Sequence, residues 1–274
     1  MTTRYSLILA ALILLLAPIL LHAGEAGKMK REVWTSISGS SLNNLRESSK
    51  FYQVADVVET INGSVAPSNW GDSYGQRLRA YVITPESGDY TFWIAGDDHC
   101  ELNLSTDASK FNKRRIASIS GWTGSQQWDK FSSQKSSLIT LVAGQKYFIE
   151  ALQKDGGGAD HLAIAWQSPS GVREIIPVSA LESFTLDPDD ADDDGLKDSF
   201  ESLFGLSASD NGSVNPDNGL MGDPDHDGYL NIEEQQFGTN PNEHGGVPGF
   251  FSYDRWDTHV GISIANLKSM PSAP

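Results

Sequence analysis

The sequence predicts a mainly β protein, a β-sandwich or barrel followed by a small, loop-rich module with short helices. Three observations carry this. Residues 33–184 run as short alternating apolar and polar segments punctuated by Gly, Pro, Ser and Asp. Beyond Leu186 the composition shifts abruptly to Asp, Asn and Gly, marking a boundary. Inside that second stretch, residues 190–201 (DADDDGLKDSFE) and 223–234 (DPDHDGYLNIEE) repeat one acidic pattern.

Taken in order, residues 77–84 alternate Leu78, Ala80 and Val82 with Arg77, Arg79 and Tyr81, and 85–88 (PESG) turns them into a second strand, residues 89–94. That reads as a hairpin. Residues 137–142 and 146–153 repeat the arrangement across Ala143, Gly144 and Gln145, and Leu162, Ile164 and Trp166 form one face of a further strand before Pro169. Many strands at this spacing, without a helical period between them, favour a sandwich or barrel. Cys100 alternates with Leu102 and Leu104 and is expected on the buried face; Trp93 and Trp166 lie in apolar alternation and are expected in the core. Trp122 and Trp128 are the candidates for exposed stacking, with loop anchoring as the alternative.

The two acidic stretches place oxygen side chains at loop positions 1, 3, 5 and 9, glycine at 6 and glutamate at 12, the spacing that wraps one Ca²⁺ in oxygen ligands. Loop one offers Asp190, Asp192, Asp194, Asp198 and Glu201 with the Leu196 carbonyl, Asp198 acting directly or through water. Loop two offers Asp223, Asp225, Asp227, Asn231 and Glu234 with the Tyr229 carbonyl. Gly195 and Gly228 allow the sharp turn. Charge balance agrees: residues 187–243 hold 16 Asp and Glu against Lys197 alone, so they carry −15 of the chain's formal −16. Such crowding resists compaction unless a cation neutralises it. A bidentate glutamate plus four other groups exceeds the octahedral set of Mg²⁺, which favours Ca²⁺. Each last ligand opens a short helix, 199–204 ending at Gly205 and 232–237 ending at Gly238, and Phe200, Leu203, Ile232 and Phe237 are expected to pack the two together. No long helices that would open an apolar groove are visible, so the loops read as structural stiffening and not as a signalling switch.

Residues 1–23 read as a leader: Arg4, an apolar run at 7–21 broken by Pro18, then Leu21-His22-Ala23 at a cleavage position. An uncleaved anchor is the alternative, since the run is near the lower limit for a membrane span. The mature chain is thus expected to be secreted or at the cell surface, with no membrane span. With Cys100 alone, no intramolecular disulfide forms, and stability falls to the core and bound metal. The acidic balance argues against nucleic acid, Lys113-Arg114-Arg115 being the only run of three consecutive cations.

Residues 71–81 (GDSYGQRLRAY), 87–102 (SGDYTFWIAGDDHCEL), 112–117 (NKRRIA) and 154–166 (KDGGGADHLAIAW) occur in the order of the PA-14 family, named after a fragment of a bacterial protective antigen, and residues 32–184 resemble it. The resemblance implies a β-sandwich or barrel-like domain that often binds sugar. In its lectin-like members two adjacent aspartates joined by a cis peptide hold a Ca²⁺ that grips vicinal sugar hydroxyls. Asp97 and Asp98 match these residues. The family's lectins add an asparagine from a later loop; none falls in 156–161, where Asp160 is the substitute. A tight turn with capping aspartates is the plainer reading of residues 96–98. The acidic loops resemble thrombospondin type 3 and other helix-poor relatives of the EF-hand, with residues 234–241 (EQQFGTNP) as their usual ending.

The organisation is then: signal peptide 1–23, linker 24–31, PA-14-like domain 32–185, calcium module 186–243, linker 244–250, and a truncated second β-domain at 251–274. That last piece repeats Trp34, Gly39 and Leu45 as Trp256, Gly261 and Leu267. No Gly-x-Ser-x-Gly, zinc-type histidine pair or phosphate loop is present, so no catalytic residue is assigned. The chain reads as a calcium-dependent, carbohydrate-binding adhesion protein and not an enzyme. The alternatives are the non-catalytic front of a secreted hydrolase, or a surface spacer that binds protein.

Overall fold

The computed structural model describes residues 24–187 and 189–244. The leader, the repeat at 251–274 and most of the 244–250 linker lie outside them.

Among the described residues eleven strands build two sheets. In chain order they are β1 (Lys28–Trp34), β2 (Val57–Asn62), β3 (Tyr74–Ile83), β4 (Gly88–Asp97), β5 (His99–Ser105), β6 (Lys113–Ile119), β7 (Ile139–Leu141), β8 (Lys146–Asp155), β9 (His161–Gln167), β10 (Glu174–Ile175) and β11 (Leu181–Ser183). The larger sheet runs β2-β1-β3-β8-β5-β6 with β11 beside β3, and the smaller runs β10-β9-β4-β7. The pairings are antiparallel. The large sheet ends at β2 and β6, so the fold is a sandwich and not a closed barrel.

The core forms where the inner faces meet: Leu78, Ala80 and Val82 of β3, Cys100, Leu102 and Leu104 of β5, and Ile149 and Ala151 of β8 pack against Tyr90, Phe92 and Ile94 of β4 and Leu162, Ile164 and Trp166 of β9. Cys100 is fully buried, which pushes its thiol pKa well up and leaves it inert. Arg77, Arg79 and Tyr81 alternate to the outer face of the large sheet. There Trp34, Leu42, Leu45 and Leu152 form a second cluster under α1 (Leu42–Arg46), and Tyr81, Phe148 and Phe184 form a third.

Two expectations are corrected. The segments joined by residues 85–87 and 142–145 are not hairpins: β3 and β8 belong to the large sheet, β4 and β7 to the small one. Both connections are corners that cross between sheets, and they brace one another through Gly144 N–H to the Thr84 carbonyl (2.8 Å) and Thr84 Oγ1 to the Val142 carbonyl (2.7 Å). Apolar alternation says which face turns inward, and it reads the same whether the next strand lies beside or opposite. The stretch 24–31, read as a linker, contains the start of β1; its Lys28-Met29-Lys30-Arg31 run hides a strand whose Met29 and Arg31 are fully buried.

Beyond the sandwich, α2 (Asp198–Phe204) and α3 (Asn231–Phe237) follow the acidic loops and end at Gly205 and Gly238, both left-handed at φ 77° and 72°. Phe200 is buried against Phe204, with ring centroids 5.0 Å apart, but Leu203 and Phe237 are 73% and 45% exposed instead of packed. Glu201 and Glu234 take the inward faces of these two-turn helices. At about 100° per residue that rotates Leu203, two residues after Glu201, to the outer side of α2, while Phe237 is the last residue of α3.

Candidate functional site

Each acidic loop first folds on its own backbone. In loop one the Asp190 carboxylate accepts from Gly195 N–H (2.9 Å), Asp192 from Asp194 N–H (3.3 Å) and Asp194 from Leu196 N–H (2.7 Å). Loop two repeats this with Asp223 and Gly228 (3.1 Å), Asp225 and Asp227 (3.0 Å), and Asp227 and Tyr229 (2.9 Å). Each aspartate thus spends one oxygen on the turn. The other oxygens of Asp190, Asp192, Asp194, Asp223 and Asp225 are buried without a hydrogen-bond partner, as are both oxygens of Glu201, one of Glu234, and Oδ1 of Asn231. Asn231 Nδ2 donates to the Asp217 and Gly219 carbonyls (2.8 Å each), leaving Oδ1 for the loop. Asp198 Oδ1 accepts from Ala191 N–H (2.8 Å), so part of its capacity goes to the backbone. Leu196 and Tyr229 stand at position 7, buried and half-buried.

Asp190, Asp192 and Asp194 bring carboxylate oxygens within 4.8 Å of one another, and so do Asp223, Asp225 and Asp227. Burial, with repulsion from Asp192 and Asp190, pushes Asp194 up to about 7. Burial and the charges of Asp194 and Asp192 raise Glu201 to about 8, and burial with Asp225 and Asp227 raises Glu234 to about 7. A cage of buried, unpaired, mutually repelling oxygens is a donor set that fits a hard divalent cation. The chemistry of the donors fits Ca²⁺ at both loops.

The second site sits at one end of the sandwich, where two sheet-crossing connections meet. Asp97 closes β4, Asp98 makes the corner, and β5 begins at His99; the peptide between the two aspartates is cis. Asp155 closes β8, and residues 156–160 cross to β9 at His161. Pairing of Asp97 with His161 and of Tyr74 with Asp155 draws these ends together. Asp98 Oδ2 accepts from Gly156 N–H (2.9 Å), Asp160 Oδ2 from Gly71 N–H (3.1 Å) and Asp72 Oδ1 from Gly158 N–H (3.0 Å). Both oxygens of Asp155, Oδ1 of Asp160 and Nε2 of His161 are buried and unpaired. Burial, then Asp160 and Asp98, raises Asp155 to about 6; burial and Asp98 also raise Asp97.

The structure thus brings Asp97, Asp98 and Asp160 to one corner, and adds Asp155 and Asp72. Sequence reasoning missed both. The signal for Asp155 was an aspartate at the last strand residue before three glycines. No three of these acids bring oxygens within 4.8 Å of one another, so the corner is looser than either loop. Trp122 is 55% exposed beside it: its neighbour Thr123 donates N–H to the Gly96 carbonyl (2.9 Å), and Lys130 Nζ stands 3.2 Å from the Trp122 ring centroid. Trp128 is half-buried, and Trp93 and Trp166 are in the core. A cleft of about 530 Å³ lies elsewhere, between the outer face of the large sheet and loop one, lined by Trp34, Phe51, Arg77, Phe111, Lys113 and Asp193 among others.

Comparison with known proteins places the central part of the chain. Over 166 residues it is 29% identical to mouse N-acetyl-beta-glucosaminyl-glycoprotein 4-beta-N-acetylgalactosaminyltransferase 1, covering 58% of this chain and 16% of that protein. Over 116 residues it is 28% identical to mouse fibrocystin, covering 40% of this chain and 3% of that one. The chain therefore spans a small part of these relatives. Among solved structures, a PA14 sugar-binding domain from an RTX adhesin aligns with TM-score 0.45 and 17% identity, over 58% of this chain and all of that one. The A domain of epithelial adhesin 6 from Candida glabrata, in complex with Galb1-3GlcNAc, aligns with TM-score 0.43 and 14% identity, over 61% and 90%. The family model of the PA14 domain matches residues 56–180, and this stretch of the sandwich is a PA14 domain.

Proposed function

We propose that the chain is an extracellular carbohydrate-binding protein. Its PA14 domain takes sugar at the Asp97–Asp98 corner, and its two acidic loops hold structural Ca²⁺. The observation that carries the sugar reading is the corner itself. Two crossing connections present Asp97, Asp98, Asp155 and Asp160, three of whose oxygens are buried and unpaired, beside the exposed ring of Trp122. An ion there would be held by these carboxylates and would offer its open positions to vicinal hydroxyls, while Trp122 covers the apolar face of the ring. The work of the protein's own groups is positional: Gly156 and Gly71 N–H fix Asp98 and Asp160, and Gln153 Nε2 donates to the Asp97 carbonyl.

Several of the similar proteins are named for sugar binding or glycan transfer, which supports carbohydrate as the ligand class. Among the described residues no helix is long and apolar enough to cross a membrane. A glycan array that includes terminal galactose and N-acetylglucosamine, probed with Ca²⁺ and again in EDTA, tests the reading. Binding that disappears in EDTA and in Asp98→Asn supports it. Binding insensitive to both refutes the metal-bridged corner, and no binding to any glycan refutes the sugar.

A further inference from the structure

The two acidic loops share one backbone but not one environment. Position 4 is left-handed in each, Asp193 and His226 both at φ 60°, and its side chain turns away from the ligand cage. In loop two that side chain returns to its own turn, His226 Nδ1 lying 2.6 Å from the Asp223 carbonyl. In loop one it reaches the sandwich. Arg79, fully buried on β3, clamps Asp193 with two nitrogens, Nη1 to Oδ1 (2.7 Å) and Nη2 to Oδ2 (2.6 Å), while Nε and Nη2 of the same guanidinium hold Glu32 of β1 (2.9 and 2.7 Å).

Two lysines complete the contact. Lys110 Nζ lies 3.0 Å from Asp193 Oδ1 and also pairs with Asp190, the first residue of the ligand cage, and Lys30 Nζ lies 3.4 Å from Asp193 Oδ2. Asp187, just before the loop, accepts from Lys110 N–H (3.1 Å) and Ser109 Oγ (3.3 Å). Position 4 has no need of a carboxylate for the turn, since histidine serves in loop two. The bidentate fork on Arg79 is therefore a specific contact and not a by-product of loop folding.

We propose that Asp193 latches loop one onto the outer face of the large sheet, so that Ca²⁺ in this loop stabilises the PA14 domain itself. The proposal rests on the calcium reading of the loops. Its physical basis is linkage: Arg79 and Glu32 are buried in the sheet, Asp193 is one residue from Asp192 and Asp194, and an ion that orders the cage orders the latch. Loop two joins the same unit through Gln235, which accepts from Lys197 N–H (2.6 Å) and donates to the Gly195 carbonyl (3.1 Å).

A tryptophan-fluorescence melt reads the effect, because residues 186–243 contain no tryptophan and six of the chain's seven, Trp34, Trp70, Trp93, Trp122, Trp128 and Trp166, belong to the sandwich, with Trp256→Phe carried as background in every protein compared. Wild type is expected to melt higher in Ca²⁺ than in EDTA by this signal. Asp193→Asn keeps the left-handed residue and the cage but weakens the fork. It is expected to bind Ca²⁺ by calorimetry with unchanged stoichiometry while losing more than half of the fluorescence-detected gain, and His226→Asn is expected to keep the gain. A gain in Asp193→Asn equal to wild type, with binding intact, overturns the latch alone. Absence of any heat of Ca²⁺ binding in wild type overturns the calcium reading and the latch together. Hydrogen exchange on wild type needs no variant: amides of β1 and β3 around Glu32 and Arg79 are expected to slow on Ca²⁺ addition, and unchanged exchange overturns the coupling.

Discussion

Replacing Glu201 with Gln separates what the last carboxylate of loop one does with and without metal. Both Glu201 oxygens are buried and unpaired, and burial with the charges of Asp194 and Asp192 raises this carboxyl to about 8. At pH 7 without metal it is therefore mostly protonated, and Gln is a close neutral mimic. The melting temperature in EDTA is expected to shift by the equivalent of less than about 1 kcal/mol. With Ca²⁺ the two forms part, since Gln cannot supply a bidentate anion. At a concentration about 100-fold above Kd, roughly 10 mM for a site of about 10⁻⁴ M, each filled loop contributes about 2.7 kcal/mol. Two loops then raise the melting temperature by roughly 10–20 °C for a unit of this size, at about 2–4 °C per kcal/mol. Glu201→Gln is expected to forfeit about half of that rise. Because Ca²⁺ must displace the proton on Glu201, calorimetry of wild type in buffers of different ionisation enthalpy is expected to show more proton release than the variant, in which Asp194 and Glu234 still contribute. Calorimetric melts in EDTA and in Ca²⁺ decide the matter. A variant that keeps the full Ca²⁺ increment, or loses several kcal/mol in EDTA, refutes the assignment of Glu201 as a ligand held by burial.

Three further outcomes follow from the same groups. Asp155, Asp194, Glu201 and Glu234 are raised to about 6, 7, 8 and 7, so between the unfolded carboxylate value of about 4 and these values the folded chain binds more protons than the unfolded one. Stability in EDTA is expected to fall as pH rises from about 5 to 8 and to be restored at pH 8 by Ca²⁺, as followed by melting temperature; a rise with pH in EDTA contradicts the burial argument. Asp155→Asn removes a buried, unpaired carboxylate, so it is expected to stabilise the metal-free protein at pH 8, to leave it unchanged at pH 5, and to abolish glycan binding on the array. Trp122→Ala, on an exposed ring, is expected to move stability by no more than about 0.5 kcal/mol and to weaken sugar binding roughly 10-fold, measured by titration against the best glycan; unchanged affinity removes Trp122 from the site.

What the sequence disclosed depended on how far apart the cooperating residues lie. The acidic loops are local: twelve residues fix the turn, and the orphaned oxygens of Asp190, Asp192 and Asp194 stand where the spacing puts them. The inward set of Leu78, Ala80, Val82, Ile164 and Trp166 was legible for the same reason, since side-chain alternation is a property of each strand alone. Which sheet a strand joins is a relation between strands, and so β3 and β4 read as a hairpin although they face each other across the core. Arg79 shows the limit most clearly. Alternation put it correctly on the outer face, but nothing near it in the chain announces that Asp193, 114 residues later, covers it. Leu203 was misassigned because apolarity was weighed before the demand of Glu201 for the inward face.

The corner at Asp97 and Asp98 combines both kinds of information, which is why only half of it was readable. The adjacent pair is a local motif. Its neighbours arrive by register: Tyr74 opposite Asp155 on β3 and β8, His99 opposite Lys154 on β5 and β8, and Asp97 opposite His161 on β4 and β9. A slip of one residue in β8 would turn Asp155 to the other face and move Gln153 away from the Asp97 carbonyl it now holds. That register is fixed by Ile149 and Ala151, which β8 commits to the core. Packing between the sheets therefore sets the geometry of the corner, whereas the loops carry theirs within twelve residues. Core-loosening substitutions in β8 should then impair sugar binding before they impair Ca²⁺ uptake by the loops, and the opposite order would show that the corner is shaped by its own connections and not by the sandwich beneath it.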